Sequence, residues 1–226
     1  MPSVASPPFH SPFSKDFAFV ILSDRSPVGH TLHPKELCAL SPRASVKRTR
    51  EFAWGRAAAC LALKQLGFDS PPPVLAGGRR EPLWPEGIVG SITHCEPWTI
   101  VVAARRSIAL AIGIDLESSR RIHTDDIAAL ICDSTERNWV AEEGDYRERL
   151  TMVFSAKEAA FKAFYPLCKR FIDFKEIRLT WIPEHTGFRG ELLTALNQGF
   201  SAGFKFIAGC SRNGDLVLTY VVLSAT

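Results

Sequence analysis

Apolar residues recur at helical spacing in some stretches of this chain and at extended spacing in others. The first helical stretch covers 45–66, where Ser45 is a candidate cap and Gly67 a candidate stop. A stretch rich in Pro and Gly then predicts a loop over 69–84. Runs rich in apolar and β-branched residues predict strands over 17–22, 88–93, 99–104 and 108–116.

The second half of the chain begins with helical patterns and then returns to strands. The helical patterns cover 125–131, 135–142 and 155–164, and Pro166 is expected to close the last helix. Strands are predicted over 176–182, 203–208 and 216–223, with a hairpin turn at Asn213-Gly214. Each half therefore contains a long helix with strands around it, as in the α+β class.

Composition sets the size of the core and the strength of the overall charge. With 226 residues, of which 46% are apolar, the chain can bury one large core or two small ones. The net charge of +3 is too small to indicate nucleic-acid binding by itself. Within 43–56, however, five basic residues against Glu51 leave +4, from five minus one. This stretch is either a solvated helix face or a binding surface for an anion.

The six cysteines form no CxxC pair and show no Cys/His spacing of a zinc site, which favours reduced thiols. The residues before 15 are rich in Pro and Ser and lack the basic start of a secretory signal. The apolar run at 17–22 is too short to span a bilayer. These features predict a cytoplasmic protein that does not bind membranes.

Two acidic residues, Asp115 and Glu117, lie at the end of the strand predicted over 108–116. Residues i and i+2 of a strand share a face, so the two carboxylates would lie side by side. Paired carboxylates suit Mg²⁺, although acidic residues that face solvent at a strand end are also common.

A second motif contains Glu158 and Lys162, which lie one helical turn apart and share a face. A third carboxylate beside a lysine would suit a phosphate ester bound next to a metal ion. However, Ser155 and Glu158 also match a capping box at a helix start, with Glu158 and Lys162 as an ordinary ion pair. A carboxylate that reaches back to its own cap cannot also bind a metal, so the two interpretations exclude each other.

A third motif, Gly90-Ser91-Ile92-Thr93-His94-Cys95, ends another predicted strand. In this order the three motifs resemble those of the 4'-phosphopantetheinyl transferases, in the branch that activates enterobactin- and surfactin-type synthetases. The resemblance covers about 43–182. It implies two similar lobes in one chain, a pseudo-dimer in which each lobe has a long helix packed on a small antiparallel sheet. The lobes would be 1–110, with coenzyme A-binding basic residues, and 111–226, with the metal-binding and catalytic residues.

The resemblance also implies a role for each matching side chain. Asp115, Glu117 and Glu158 would bind Mg²⁺, and Glu158, Lys162 and Asp115 would be the catalytic residues. A single histidine is more often structural than functional, but in this family the position of His94 contacts a pyrophosphate. The chain has neither a GxxxxGK[ST] loop nor a GxGxxG fingerprint, so side chains and metal must hold the phosphates. The residues that would bind coenzyme A are Arg48, Arg56, Arg80, Thr93, His94, Lys157 and Lys162.

The activity implied by the resemblance is transfer of the 4'-phosphopantetheine arm of coenzyme A to a serine of an apo acyl or peptidyl carrier protein. The products would be the holo carrier and adenosine 3',5'-bisphosphate. The carrier should be acidic and helical, and a monomeric enzyme would suffice. Enterobactin-type likeness favours siderophore and nonribosomal peptide synthesis, with fatty acid synthesis left open. Two alternatives stay open: a Mg²⁺-dependent nucleotide pyrophosphate hydrolase, and a non-catalytic anion-binding module that uses 43–56.

Overall fold

The computed structural model of the chain describes residues 7–24, 26, 32–121, 125–142 and 144–224. The chain divides into two compact units, one made of the described residues up to Ile112 with Ser224, and the other of Gly113–Leu223. Both units combine helices with antiparallel strand pairs, which confirms the predicted mixture of helix and sheet. No helix in the described ranges is both long and apolar enough to cross a membrane.

The first unit has a three-stranded sheet with strand order β1-β5-β4, in which both pairs are antiparallel. Its elements are β1 (Phe17–Ser23), α1 (Pro34–Leu37), α2 (Val46–Gln65), β2 (Leu75–Ala76), β3 (Pro82–Leu83), β4 (Ile88–Cys95) and β5 (Trp98–Arg105). Helix α2 matches its prediction, because the Ser45 side chain accepts a hydrogen bond from the Arg48 amide and Gly67 follows with φ 92°. Its buried face is rich in alanine, which allows a close approach to the strands.

The second unit has a five-stranded sheet with strand order β6-β10-β9-β8-β7. Strand β6 enters it from the first unit. The elements are β6 (Ala109–Ser118), α3 (Asp125–Ile131), α4 (Ser134–Ala141), α5 (Tyr146–Cys168), β7 (Ile177–Ile182), β8 (Gly187–Leu192), β9 (Lys205–Asn213) and β10 (Leu216–Ser224). The fully buried Phe164 of α5 makes edge-to-face contacts with the rings of Phe200 and Phe206, so α5 shares the core of this unit.

Helix α5 differs from its predicted bounds at both ends. It begins at Tyr146, where the Asp145 side chain accepts a hydrogen bond from the Glu148 amide. Pro166 lies inside the last part of the helix, which ends at Lys169 in the left-handed conformation with φ 53°. The prediction that Ser155 starts this helix and that Pro166 closes it was therefore wrong.

Strand β8 was not predicted, because its glycines reduce strand propensity. A Cβ on Gly187 would lie 2.5 Å from the carbonyl oxygen of Ala208, and one on Gly190 would lie 2.2 Å from the Phe206 ring. Glycine is required at both positions by close neighbours in β9. The six cysteines are free thiols, as the sequence predicted.

Candidate active site

Strand β6 and helix α5 come into backbone contact at Gly113. A Cβ on this residue would lie 1.9 Å from the carbonyl oxygen of Ala159 and 2.5 Å from the amide nitrogen of Ala163. Backbone atoms cannot move aside as a flexible side chain can, so only glycine allows this approach. The contact determines which residues of α5 can reach the acidic end of β6.

Lys162 of α5 reaches that end of the strand. Its Nζ atom donates a hydrogen bond to Asp115 Oδ1 at 2.6 Å and another to the carbonyl oxygen of Ile114 at 3.1 Å. Asp115 is only 4% exposed, and its buried carboxylate is stabilised by the ammonium charge. The predicted proximity of these two residues is present in the structure.

Ser155 makes a second connection between α5 and the sheet. Its hydroxyl donates a hydrogen bond to the carbonyl oxygen of Asp115 at 3.3 Å and lies 2.8 Å from the hydroxyl of Thr219. Because Ser155 lies well inside α5, it does not cap the helix, and the capping-box interpretation of Ser155 and Glu158 is excluded. Glu158 is therefore not held by a helix cap.

The carboxylates of this region influence one another electrostatically. Burial and, to a smaller extent, the charge of Asp115 raise the pKa of Glu117 to about 7, against the opposing charges of Lys162 and Arg121. Burial also raises the pKa of Glu158, which Lys162 lowers and Asp115 raises. Both side chains thus resist ionisation, and a nearby cation would favour their charged forms.

The three acidic residues fit a divalent cation by their chemistry, since Mg²⁺ prefers carboxylate oxygen. Within the described residues, however, no group of three or more His, Cys, Asp or Glu side chains is placed so that it could hold a metal ion. One oxygen of Asp115 is instead engaged by Lys162. The structure therefore contains suitable donors that are not assembled into a ready site, and the assignment of Asp115, Glu117 and Glu158 as Mg²⁺ ligands stays a prediction.

Lys157 does not lie at a ligand-accessible surface. Its side chain is fully buried, and Nζ donates to Glu136 Oε2 at 2.7 Å and to the carbonyl oxygens of Ile131 at 2.6 Å and Phe174 at 2.9 Å. The prediction that Lys157 binds coenzyme A was wrong, because its side chain points into the protein interior. Consecutive residues of a helix point about 100° apart, so Lys157 does not share a face with its neighbour Glu158. Lys157 faces the protein interior, whereas Glu158 and Lys162 share the other face.

The histidine motif lies in β4 of the first unit. The strand alternation places Thr93 in the interior, where it is 3% exposed, and His94 on the surface. His94 Nε2 lies 3.1 Å from Glu51 Oε2 of α2. The predicted ligand contact of Thr93 stays a prediction, while the neighbouring His94 is accessible.

Arg56 of α2 is a buried cation beside a cavity of about 370 Å³, whose lining includes Glu36 and Cys60. Its guanidinium lies 4.3 Å from the centre of the Phe52 ring and donates to the carbonyl oxygen of Leu75 at 3.3 Å. Its Nε atom is buried and has no hydrogen-bond partner among the described residues. Burial lowers the pKa of Arg56 to about 10, so the group stays charged at neutral pH.

The remaining basic residues of the first unit are more exposed. Arg48 is half-buried and Arg80 is exposed in the turn between β2 and β3, where its φ is 68°. Sequence analysis overlooked Glu96, which forms an ion pair with Arg50 and lies 4.0 Å from Lys47. Part of the positive charge counted along 43–56 is therefore balanced by this acidic residue in the turn between β4 and β5.

Comparisons with known proteins agree with the motif pattern. The family model for the 4'-phosphopantetheinyl transferase N-terminal domain matches residues 36–104, and the model for the 4'-phosphopantetheinyl transferase superfamily matches residues 111–220. The chain is 39% identical over 165 residues to the 4'-phosphopantetheinyl transferase Svp of Streptomyces mobaraensis, covering 72% of this chain and 66% of Svp. It is 34% identical over 184 residues to the 4'-phosphopantetheinyl transferase PptT of Mycobacterium tuberculosis, covering 80% of this chain and 79% of PptT.

Among solved structures, the chain is similar to the holo-[acyl-carrier-protein] synthase of Thermotoga maritima. The sequence identity is 20%, the TM-score is 0.41, and the match covers 51% of this chain and 63% of the synthase.

Proposed function

The chain belongs to the 4'-phosphopantetheinyl transferase superfamily, and we propose that it transfers the 4'-phosphopantetheine arm of coenzyme A to a serine of an apo acyl or peptidyl carrier protein. The serine oxygen forms a bond to the phosphorus that carries pantetheine, and the bond from this phosphorus to the leaving phosphate oxygen breaks. The products are a holo carrier and adenosine 3',5'-bisphosphate. The observation that carries the proposal is the partly buried Asp115–Lys162 pair, together with the raised pKa values of Glu117 and Glu158, which respond to its charges.

Each side chain of the second unit has a task in this proposal. Glu158 accepts the proton of the attacking serine, directly or through a water. Lys162 stabilises negative charge on the phosphates during transfer, and Asp115 holds the lysine in place. Mg²⁺, if bound by Asp115, Glu117 and Glu158, supplies charge neutralisation at the pyrophosphate.

The first unit contributes cations for the phosphates of coenzyme A. We assign this role to Arg48, Arg56, Arg80 and His94, with Thr93 next to His94 beside the same phosphate group. We omit Lys157, because its fully buried Nζ is bonded to Glu136 and to two carbonyl oxygens. Arg56 supports the assignment best, since its guanidinium lines a cavity and a guanidinium is well shaped to bind phosphate oxygens. An acidic helical carrier, a monomeric state, a cytoplasmic location and a pair of similar lobes with the predicted bounds belong to the same proposal.

Mass spectrometry of an apo carrier protein incubated with coenzyme A, Mg²⁺ and the enzyme tests the proposal. Transfer adds one phosphopantetheine to the carrier and releases adenosine 3',5'-bisphosphate. A pyrophosphate hydrolase would instead release both halves of coenzyme A and leave the carrier unmodified, and that result would overturn the proposal. A catalytically inactive Glu158→Gln variant serves as the control for contaminating transferases.

A further inference from the structure

The fully buried Lys157 and its partner Glu136 connect four separate segments of the second unit to one position of α5. Besides its own bonds, its partner Glu136 accepts hydrogen bonds through Oε1 from the Leu179 amide at 2.7 Å and through Oε2 from the Asp133 amide at 2.8 Å. Through the pair, the end of α3, the first turn of α4, the turn before β7 and β7 itself are all attached to α5. The two side chains are 0% and 1% exposed.

Such a buried ion pair contributes little net stability to a protein core. Taking two charges out of water carries a large desolvation penalty, and ordering a lysine side chain costs entropy, so apolar residues of similar volume often stabilise a core equally well. A buried pair with several directional hydrogen bonds does, however, select one arrangement of its elements. Lys157 precedes Glu158 directly, so its anchoring determines the rotation of the helical turn that carries Glu158.

The next turn of the same helix carries Lys162, whose hydrogen bond to Asp115 connects α5 to the acidic end of β6. We propose that the buried Glu136–Lys157 pair is a positioning device that sets the rotation of α5 and so places Glu158 and Lys162 for the transfer reaction. This inference rests on the proposed function. Neither Glu136 nor Lys157 touches the reacting groups in it.

The test separates positioning from stability by comparing single and double variants. Glu136→Gln keeps the shape and most hydrogen bonds of Glu136 but removes its charge, and the double variant Glu136→Leu/Lys157→Met replaces the pair by apolar side chains. Leu192→Ala, in the buried part of β8, is the control that destabilises the same unit without touching the pair. Circular dichroism gives the folded fraction by which kcat is normalised.

Both pair variants are expected to lower the normalised kcat at least tenfold and to raise the Mg²⁺ concentration for half-maximal rate at least threefold. They should also reduce the rise in unfolding temperature that Mg²⁺ produces without substrates. The Michaelis constant for coenzyme A should change less than twofold. Leu192→Ala should unfold at a lower temperature than the wild type with both kinetic quantities unchanged.

Wild-type kcat and Mg²⁺ dependence in the double variant, or in Glu136→Gln if the double variant does not fold, would overturn the inference and leave the proposed function intact. Equal losses in Leu192→Ala would also overturn it, because they would attribute the effect to stability alone. A wild-type enzyme that transfers no phosphopantetheine would refute the proposed function itself and the inference with it.

Discussion

Lys162 Nζ lies 2.6 Å from Asp115 Oδ1, so a helix residue and a strand residue far apart in the sequence form one partly buried ion pair. The pair couples the position of α5 to that of β6. It also places the ammonium beside the carboxylates of Glu117 and Glu158, whose pKa values respond to its charge. The same contact therefore contributes to the stability of the second unit and to the proposed chemistry.

Replacing Lys162 by methionine removes the charge and keeps the length of the side chain. We expect kcat to fall at least 100-fold because the phosphates lose their proposed cation. The unfolding free energy should fall by about 1–3 kcal/mol, because Asp115 is left buried without its cation. Lys175→Met, which changes an exposed lysine of the same unit, should preserve both quantities in parallel kinetic and urea-unfolding measurements.

The contact of Gly113 with α5 predicts that Gly113→Ala is strongly destabilising. A methyl group 1.9 Å from a backbone oxygen forces β6 and α5 apart, which should cost about 3 kcal/mol or more of unfolding free energy. Gly78→Ala is the matched control, since a Cβ there meets nothing within 4 Å. Urea unfolding of the two variants gives the comparison. Equal stabilities would show that the strand and helix are not in the contact described.

Local signals predicted some of this structure well, and non-local contacts explain the rest. Ser45 and Gly67 mark the ends of α2 because caps act within one turn of the chain. The start of α5 was missed because Asp145 and Ser155 are both good cap residues. The structure shows that Asp145 caps the helix, while the Ser155 hydroxyl bonds to Asp115 and Thr219 instead.

In the candidate site, too, some features could be predicted from the sequence and those that depend on non-local contacts could not. The sequence predicted that Asp115 and Lys162 belong together, through the family motifs. It could not predict that Lys157 is buried, because its partner Glu136 comes from another helix. The role of Gly113 was also not predicted, since a close approach of two backbones has no distinct pattern in a single sequence.

Arg56 is expected to act on coenzyme A binding more than on the chemical step. Arg56→Met removes the guanidinium from the cavity of the first unit and should raise the Michaelis constant for coenzyme A about tenfold, with a smaller change in kcat. Arg43→Met, on an exposed residue outside α2, is the control. An unchanged Michaelis constant in the Arg56 variant would remove this residue from the proposed binding set.

Glu176 predicts a specific loss of stability in acid. Paired hydrogen bonds from Arg170, at 2.8 and 2.9 Å, together with Thr194, lower its pKa to about 2. Because the folded-state pKa lies below the unfolded value near 4.5, this contribution is present above pH 4.5 and is lost as the pH falls toward 2. Glu176→Gln should therefore unfold more easily than wild type at pH 6, with a smaller difference at pH 3. A difference that grows in acid would contradict the assigned pairing.

The raised pKa of Glu117 predicts a pH dependence of stability that is opposite in sign to that of Glu176. It also provides a test of metal binding. Its folded-state pKa of about 7 lies above the ordinary value of 4.5, so the folded protein holds an extra proton and loses stability as the pH rises between these values. A cation that binds the carboxylate must displace this proton, so binding should strengthen as the pH increases through 7.

The expected result is that Mg²⁺ raises the unfolding temperature more at pH 8 than at pH 5.5, and that the difference disappears in Glu117→Gln. Glu191→Gln, on a half-buried glutamate of β8, should keep the wild-type response. The expected difference between the variants arises from proton displacement and not from net charge, because both substitutions remove one carboxylate from the second unit. If the two variants lost the Mg²⁺ response equally, the ion would be acting through the general charge of the protein, and Glu117 would not be a ligand.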